Sequence, residues 1–308
     1  MQHRLFFFLS MSALSSIGRF APSPTGPLHF GSLVSALASY LDIKKRQGQW
    51  LVRIEDIDPP REVPGASATI LQQLEAHGLH WDGTVLYQSE RLPDYLAALD
   101  QLKQKDLTYF CECNRQRMRS LGGIYDSHCR YLQLAAKNSA TRLNVGEINA
   151  ECQDFNDLIM GQYQQYLRAE VGDFVLRRRD GLISYQLAVV VDDHYQGITH
   201  IMRGSDLLDS TPRQLYLQQC LGYRRPDYMH LPVALNTDGQ KLSKQNHAAA
   251  LTPHQEAHNL YIALHWLQQE PPAELAHLSV SEILSWGITH WTISKIPSTM
   301  GISAPKEF

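Results

Sequence analysis

One uninterrupted string near the start, Gly18-Arg19-Phe20-Ala21-Pro22-Ser23-Pro24-Thr25-Gly26-Pro27-Leu28-His29-Phe30-Gly31-Ser32, constrains the fold more than any other part of this chain. Ser16 to Phe20 reads as a core strand, and the proline- and glycine-rich run after it continues neither strand nor helix. From Gly31 onward Leu33, Val34, Leu37, Tyr40 and Leu41 fall close to helical spacing, so a helix begins there and packs one face on a sheet. A strand that runs through such a loop into a helix turns unpaired N–H groups and the positive end of a helix dipole toward the loop, a setting suited to phosphate. Gly26 and Gly31 let the backbone approach a ligand closely. His29 stands where an imidazole can hydrogen-bond phosphate oxygens as charge develops in a displacement. Singly, each of these residues is a turn former or a helix cap; the whole string is a stronger signal than its members.

Further along, Trp50-Leu51-Val52-Arg53-Ile54 is a compact apolar strand that ends in the acidic turn Glu55-Asp56-Ile57-Asp58-Pro59-Pro60, and residues 66–77 form an amphipathic helix. Strand, helix, strand, helix opens a doubly wound parallel sheet. Between about 88 and 183 that rhythm breaks down, which marks an insertion with a weak core. Leu187-Ala188-Val189-Val190-Val191 and Ile198-Thr199-His200-Ile201-Met202 read as two buried strands turned by Asp192-Asp193 and Gly197. A helix over 211–221 and the strand Tyr228-Met229-His230-Leu231-Pro232-Val233 complete the second half. Residues 250–286 form a small helical module, and the tail after Pro297 is expected to be disordered. The expected division is an extension at 1–15, a first Rossmann-like half at 16–87, the insertion at 88–183, the second half at 184–249 and the helical module with its tail at 250–308.

Two lysines, Lys241 and Lys244, lie in Lys241-Leu242-Ser243-Lys244-Gln245 after the flexible run Asn236-Thr237-Asp238-Gly239-Gln240. On such a loop they can close over a polyphosphate and offset charge on departing pyrophosphate. Alone the loop would be a solvated surface; its weight comes from partnership with the first string. The formal net charge of −3 argues against a generally basic nucleic-acid binder but leaves room for local basic stripes, for which Arg177-Arg178-Arg179 and Arg224-Arg225 are the candidates.

Of five cysteines, Cys111, Cys113 and Cys129 cluster, which suits a reduced compartment and a metal site better than a disulfide framework. Three thiolates favour zinc in a structural tetrahedral site, with Tyr125, His128 or a water as the fourth ligand. Arg4 followed by Leu5-Phe6-Phe7-Phe8-Leu9 resembles the start of an export signal, but the run is short and the first core strand follows closely. A cytoplasmic protein is therefore expected, with Met11 an alternative initiator, and no stretch approaches the ~20 apolar residues of a membrane span.

The pair His29-Phe30-Gly31-Ser32 and Lys241-Leu242-Ser243-Lys244-Gln245 resembles the HIGH and KMSKS signatures of class I aminoacyl-tRNA synthetases. The longer string Gly18 to Gly26, with Arg53-Ile54-Glu55-Asp56-Ile57-Asp58, resembles the glutamyl-tRNA synthetase branch, and the resemblance spans about residues 17–250. The sequence departs from the signatures at Phe30, Ser32 and Gln245, which spares His29 and both lysines. The resemblance implies ATP-dependent activation of L-glutamate to glutamyl-adenylate, with ATP bound together with Mg2+. It implies catalytic roles for His29, Lys241 and Lys244, and ATP contacts from Thr25, Gly26, His29, Gly31 and Lys244. Glutamate would meet Arg19, Phe20, Ala21, Pro22, Ser23, Glu55, Tyr185 and Arg203. The chemistry agrees: an acidic side chain calls for an arginine fork such as Arg19, and a substrate ammonium for a carboxylate such as Glu55. The competing reading makes Arg19 and Glu55 a structural ion pair and Tyr185 a core aromatic. For the metal, the family pattern places Tyr125 beside Cys111, Cys113 and Cys129 around one structural zinc ion.

A full-length glutamyl-tRNA synthetase continues into a large helical anticodon-binding region, whereas this sequence stops soon after the lysine motif, as in a short paralogue of that family. That resemblance implies a different acceptor, the cyclopentenediol of queuosine in the anticodon stem-loop of tRNA(Asp), and a monomeric enzyme without a membrane partner. A cyclopentene cis-diol is chemically close to a ribose cis-diol, so one adenylate site suits either. The alternatives are a compact synthetase acting on another acceptor, or a non-catalytic paralogue that binds RNA or amino acid.

Overall fold

The computed structural model describes residues 15–146, 152–242 and 249–308. The stretch resembling an export signal lies outside the described residues, as do Ser243, Lys244 and Gln245 of the lysine motif.

Strand β1 (Ile17–Phe20) passes through the proline-rich loop into helix α1 (Phe30–Lys45) and returns as β2 (Gln49–Ile54), parallel to β1. Helix α2 (Ala66–Ala76) leads to the short β3 (Leu86–Tyr87), parallel to the end of β2. α1 is apolar over most of its circumference because it packs on β1 and β2 while other helices cover its back. It presses closest at Gly18, where a Cβ would lie 2.4 Å from Ile43 Cγ1. Trp50 is fully buried and anchored by its indole N–H, which donates to Ser39 Oγ at 2.9 Å.

The next segment holds α3 (Leu92–Gln104), β4 (Thr108–Cys111), α4 (Arg115–Ser120), β5 (Ala140–Leu143), β6 (Gln153–Asp157), β7 (Gly161–Gln165), α5 (Leu167–Glu170) and β8 (Phe174–Arg177). β4, β5 and β8 form an antiparallel sheet in that order, and β6 and β7 form a separate hairpin. The second half follows as α6 (Tyr185–Tyr195), β9 (His200–Gly204), α7 (Thr211–Leu221), β10 (Asp227–Leu231) and β11 (Val233–Leu235). Helices α8 (Glu256–Trp266) and α9 (Val280–His290) and strand β12 (Gly301–Ser303) close the chain. The central sheet runs β10-β9-β1-β2-β3 with every pairing parallel, so the Rossmann-like α/β architecture read from the sequence is present. No helix among the described residues is long and apolar enough to cross a membrane.

Three readings are corrected. Leu187 to Val191 is not a strand but the middle of α6, whose N-cap Ser184 accepts from the Leu187 N–H. Five apolar residues in a row fit a buried helix as well as a buried strand, and here α3 and α7 cover the face that a sheet would have needed. The segment 88–183 does not have a weak core. Leu102, Leu143 and Leu176 share one cluster with Val189, Tyr216 and Leu217, so the inserted sheet and the second half bury a common apolar surface. The tail after Pro297 is ordered: β12 pairs in parallel with β11, and the ring of Phe308 stacks on Phe30 with centroids 4.5 Å apart.

Helix α6 is locked to its neighbours by Asp192, whose fully buried carboxylate accepts from Gln88 Nε2 and Tyr95 Oη at 2.7 Å each and from Arg91 Nε at 3.2 Å. Asp192→Ala takes the acceptor from Gln88 and Tyr95 and leaves Arg91 only its contact with Asp94, and should cost about 3 kcal/mol. Urea denaturation followed by circular dichroism measures this; a loss below ~1 kcal/mol would mean that water replaces the carboxylate.

Candidate active site

The carboxyl ends of β1, β2, β9 and β10 open onto a cavity of about 780 Å³. From the first loop Arg19, Phe20, Ala21, Pro22, Ser23 and Thr25 line it, and His29 and Gly31 follow at the start of α1. Glu55 enters from the end of β2, Tyr185 from the first turn of α6, Arg203 from β9 and Lys241 from beyond β11. Gly26, with φ +136°, lets the loop turn but does not line the cavity. Lys244 lies outside the described residues. A smaller recess of about 220 Å³ shares Ser23, Thr25, Glu55 and Tyr185 with the main cavity and extends to Asp58, Gln88 and Arg178.

One wall of the cavity carries a charge cluster, and the ion pair of the competing reading is not part of it. Arg19 and Glu55 do not pair with each other. Arg19 donates through Nε and Nη2 to the two carboxylate oxygens of Asp193, at 3.0 and 3.4 Å, which leaves its Nη1 end for a ligand. Arg53, fully buried, meets the same Asp193 at 2.8 Å and Glu55 at 3.5 Å. Burial disfavours the Asp193 anion, yet the charges of Arg19 and Arg53 outweigh it and hold its carboxyl below the usual range. Glu55 goes the other way: burial raises it, and Arg53 and Arg19 offset this only in part. The site therefore contains one carboxyl held firmly anionic and a second, Glu55, that burial makes less acidic. Tyr185 packs against the apolar cluster of α6 and also lines the cavity, where its Oη accepts from Arg203 Nη1 at 3.3 Å.

His29 is the N-cap residue of α1, in extended conformation, with its carbonyl accepting from Ser32 and Leu33 N–H. Gly31 gives it room: a Cβ there would stand 3.2 Å from His29 Cε1, a contact tight enough to press on the imidazole. The loop is pinned by Leu28, whose N–H donates to Gln73 Oε1 at 2.7 Å. The chain beyond the lysine motif comes back to the same place, since Leu251 N–H donates to Leu28 O and His29 bridges Ala250. Lys241 Nζ meets Asp206 at 2.5 Å on the rim of the cavity.

Apart from the cavity, Cys111, Cys113 and Cys129 bring their sulfurs within 4.8 Å of one another, a donor set that can hold a metal ion. The Tyr125 hydroxyl joins them, 3.4 Å from Cys111 Sγ and 3.6 Å from Cys113 Sγ, whereas no His128 ring nitrogen belongs to the group. Arg142 lies over the Tyr125 ring at 3.8 Å. Burial pushes the Cys111 thiol up, but contacts with Tyr125 and Arg142 more than reverse this and bring it to about 7.

The sequence did not disclose Asp193, which had been read as a turn, nor Arg53 and Asp206 as partners of the expected residues. An acidic pair directly after an apolar run was the available signal, because buried acids next to a helix core mark paired cations. Of the two basic stretches, Arg178 reaches Asp58 and Asp180, while Arg225 donates to the carbonyl of Asp154.

Residues 17–262 match the family model of tRNA synthetases class I (E and Q), catalytic domain. A Pseudomonas aeruginosa protein named glutamyl-Q tRNA(Asp) synthetase is 53% identical over 283 residues, 92% of this chain and 96% of that one. A protein of the same name from Shigella flexneri is 51% identical over 294 residues, 96% of this chain and 94% of that one. Among solved structures, a glutamate tRNA ligase from Elizabethkingia meningosepticum in complex with its amino acid superposes with a TM-score of 0.78 at 24% identity, over 95% of this chain and 68% of that one, a likeness of fold.

The raised Glu55 carboxyl has a definite sign in stability. The folded chain binds this proton more tightly than the unfolded one, so the Glu55 contribution is fully present below the unfolded value of about 4.3 and is lost as pH rises through the folded value. Glu55→Gln removes that loss. The variant should melt higher than wild type at pH 7.5, by a margin that shrinks toward pH 4, as calorimetry at both pH values would read. A margin independent of pH would mean that Glu55 is not the titrating group.

Proposed function

The chain belongs to the class I tRNA synthetase family of the glutamate and glutamine enzymes, and from that premise we propose that it activates L-glutamate with ATP and esterifies queuosine in the anticodon loop of tRNA(Asp). It is a class I aminoacyl-tRNA-synthetase-like ligase. The observation that carries the amino-acid part of the proposal is the convergence of Arg19, Glu55, Tyr185 and Arg203 on one cavity with His29 and Lys241. The acceptor part rests on the printed names of the relatives, and a second supporting observation is the recess that shares a wall with the main cavity.

In this reading Glu55, held ready beside Arg53, takes the substrate ammonium. The open end of Arg19 takes the side-chain carboxylate, and Arg203 with Tyr185 orients the amino acid along the cavity. The α-carboxylate then attacks the α-phosphorus of ATP and pyrophosphate leaves, forming glutamyl-adenylate. His29 and the first N–H groups of α1 stabilise charge on the α-phosphate, and Lys241 and Lys244 that on the departing pyrophosphate. Thr25, Gly26 and Gly31 give the nucleotide close access to backbone. An acceptor hydroxyl entering through the smaller recess attacks the activated carbonyl and releases AMP, and the cis-diol of queuosine suits that step as a ribose diol does. Cys111, Cys113, Cys129 and Tyr125 would hold one structural zinc ion, which would supply a crosslink to the segment between β4 and β5 rather than catalytic chemistry.

Three measurements test the proposal. Purified protein should catalyse ATP–pyrophosphate exchange that depends on L-glutamate, and Lys244→Ala should lower the exchange rate by roughly 100-fold while glutamate binding stays within about threefold. Labelled glutamate should appear on queuosine of tRNA(Asp); label on the 3′-terminal nucleotide, or equal labelling of queuosine-free tRNA, would overturn the acceptor. Elemental analysis should find one zinc per chain, reduced well below stoichiometry in Cys129→Ser; full occupancy in that variant would remove Cys129 from the ligand set.

A further inference from the structure

Behind Arg203, away from the cavity, lies a buried hydrogen-bonded chain to which neither the signatures nor the cavity lining assigns a role. Arg203 Nε donates to His230 Nε2 at 3.1 Å, and His230 Nδ1 lies 2.6 Å from Asp157 Oδ2. His230 and Asp157 are 0% and 1% exposed, and neither lines the cavity. An arginine Nε always carries its proton, so His230 Nε2 must present a lone pair, and the imidazole proton must sit on Nδ1 and be donated to Asp157. The other ends of the guanidinium are also held: Nη1 donates to Tyr185 Oη at 3.3 Å and Nη2 to Thr211 Oγ1 at 2.8 Å.

We propose that Asp157 and His230 are positioning residues for the amino-acid site, fixing the imidazole tautomer that holds Arg203 Nε and thereby the direction of the guanidinium facing the cavity. The alternative tautomer would set an N–H against the N–H of Arg203, and a protonated ring would add like charge as well. Asp157 excludes the first by accepting from Nδ1, while burial and the Arg203 charge disfavour the second. Burial lowers His230, the Asp157 hydrogen bond raises it, and the Arg203 charge lowers it again, with a net depression that keeps the ring neutral near pH 7. Asp157 is itself fastened, since its Oδ1 accepts the backbone N–H groups of Ile159, Met160 and His230 at 3.0, 2.8 and 3.1 Å. The β6–β7 hairpin thus delivers a carboxylate into the sheet of the other half, and its geometry is transmitted through two side chains to the substrate site.

This inference rests on the reading of Arg203 as a glutamate contact, and the test separates the two. In glutamate-dependent ATP–pyrophosphate exchange by the full chain, His230→Leu should raise KM for glutamate roughly tenfold or more while KM for ATP stays within about twofold. His230→Gln, whose Oε1 stands near the Nε2 position and accepts from Arg203, should remain within about threefold of wild type. His230→Asn keeps a donor for Asp157 but has no acceptor within reach of Arg203, and should behave like the leucine variant. If His230→Leu does not fold, the glutamine and asparagine variants decide the matter alone. An unchanged glutamate KM in the leucine or asparagine variant, an equal rise for ATP, or a glutamine variant as impaired as asparagine overturns the positioning role. Wild-type protein that shows no glutamate-dependent exchange overturns instead the reading of the site on which it stands.

Discussion

Asp193 is the residue on which the site depends. It stands near the end of α6, reaches Arg19 on β1 and Arg53 on β2, and does so fully buried. Two parallel strands 4.7–4.9 Å apart would otherwise set two guanidinium groups side by side in a medium that cannot screen them. One carboxylate between them neutralises the repulsion and at the same time fixes both rotamers. Because α6 supplies it, the helix cannot shift along the sheet without breaking two ion pairs. The neighbouring Asp192 restrains the same turn of α6 through Arg91 and Tyr95. Buried ion pairs add little net stability compared with apolar residues of the same volume, but breaking one is costly. The cluster is therefore better understood as a device that specifies one arrangement than as a source of stability.

The parts of this arrangement that lie within a contiguous motif were readable from the sequence. Arg19, Ser23 and His29 belong to one string whose local geometry is dictated by prolines and glycines, and Glu55 follows directly on the strand that pairs with β1. A parallel sheet then brings strand ends together without further information, which is why the cavity could be located before its walls were known. What stayed hidden was partnership across the chain. Arg19 and Asp193 are separated by 174 positions, and His230 and Asp157 by 73. The acidic pair Asp192-Asp193 after an apolar run hints at buried acids but does not say which cations they meet, and the run of valines before it matches either periodicity. The tail escaped notice for another reason. Gly301-Ile302-Ser303 is too short to register as a strand, and it exists because β11 offers an open edge and Phe30 an aromatic face.

The segment between the two halves also proves less separate than its composition suggested. Its antiparallel sheet shares a core with α6 and α7, and its β6 packs against β10. The cysteine cluster is the exception, a small unit whose buried members are Cys111, Tyr125 and Cys129. It is bound to the rest through Asp173, which accepts from Tyr109, two residues before Cys111, and from Arg130, next to Cys129. A metal crosslink is most useful where the buried cluster is small, as it is here.

Together these contacts give the buried arginines near the cavity acidic partners. Arg19 and Arg53 share Asp193, Arg53 also meets Glu55, and Arg203 reaches Asp157 through His230. Charge is thus nearly balanced before any ligand arrives, and no arginine needs to move to find a partner. For the amino-acid substrate proposed here, selectivity would then rest less on net attraction than on direction: which hydrogens of each fork remain unspent, and where they point. An arginine already held on one edge by a carboxylate can offer only its other edge, and a ligand whose carboxylate sits one methylene too near or too far would leave it unmet. In that respect the partners buried behind the site determine what fits in front of it as much as the residues that line the cavity.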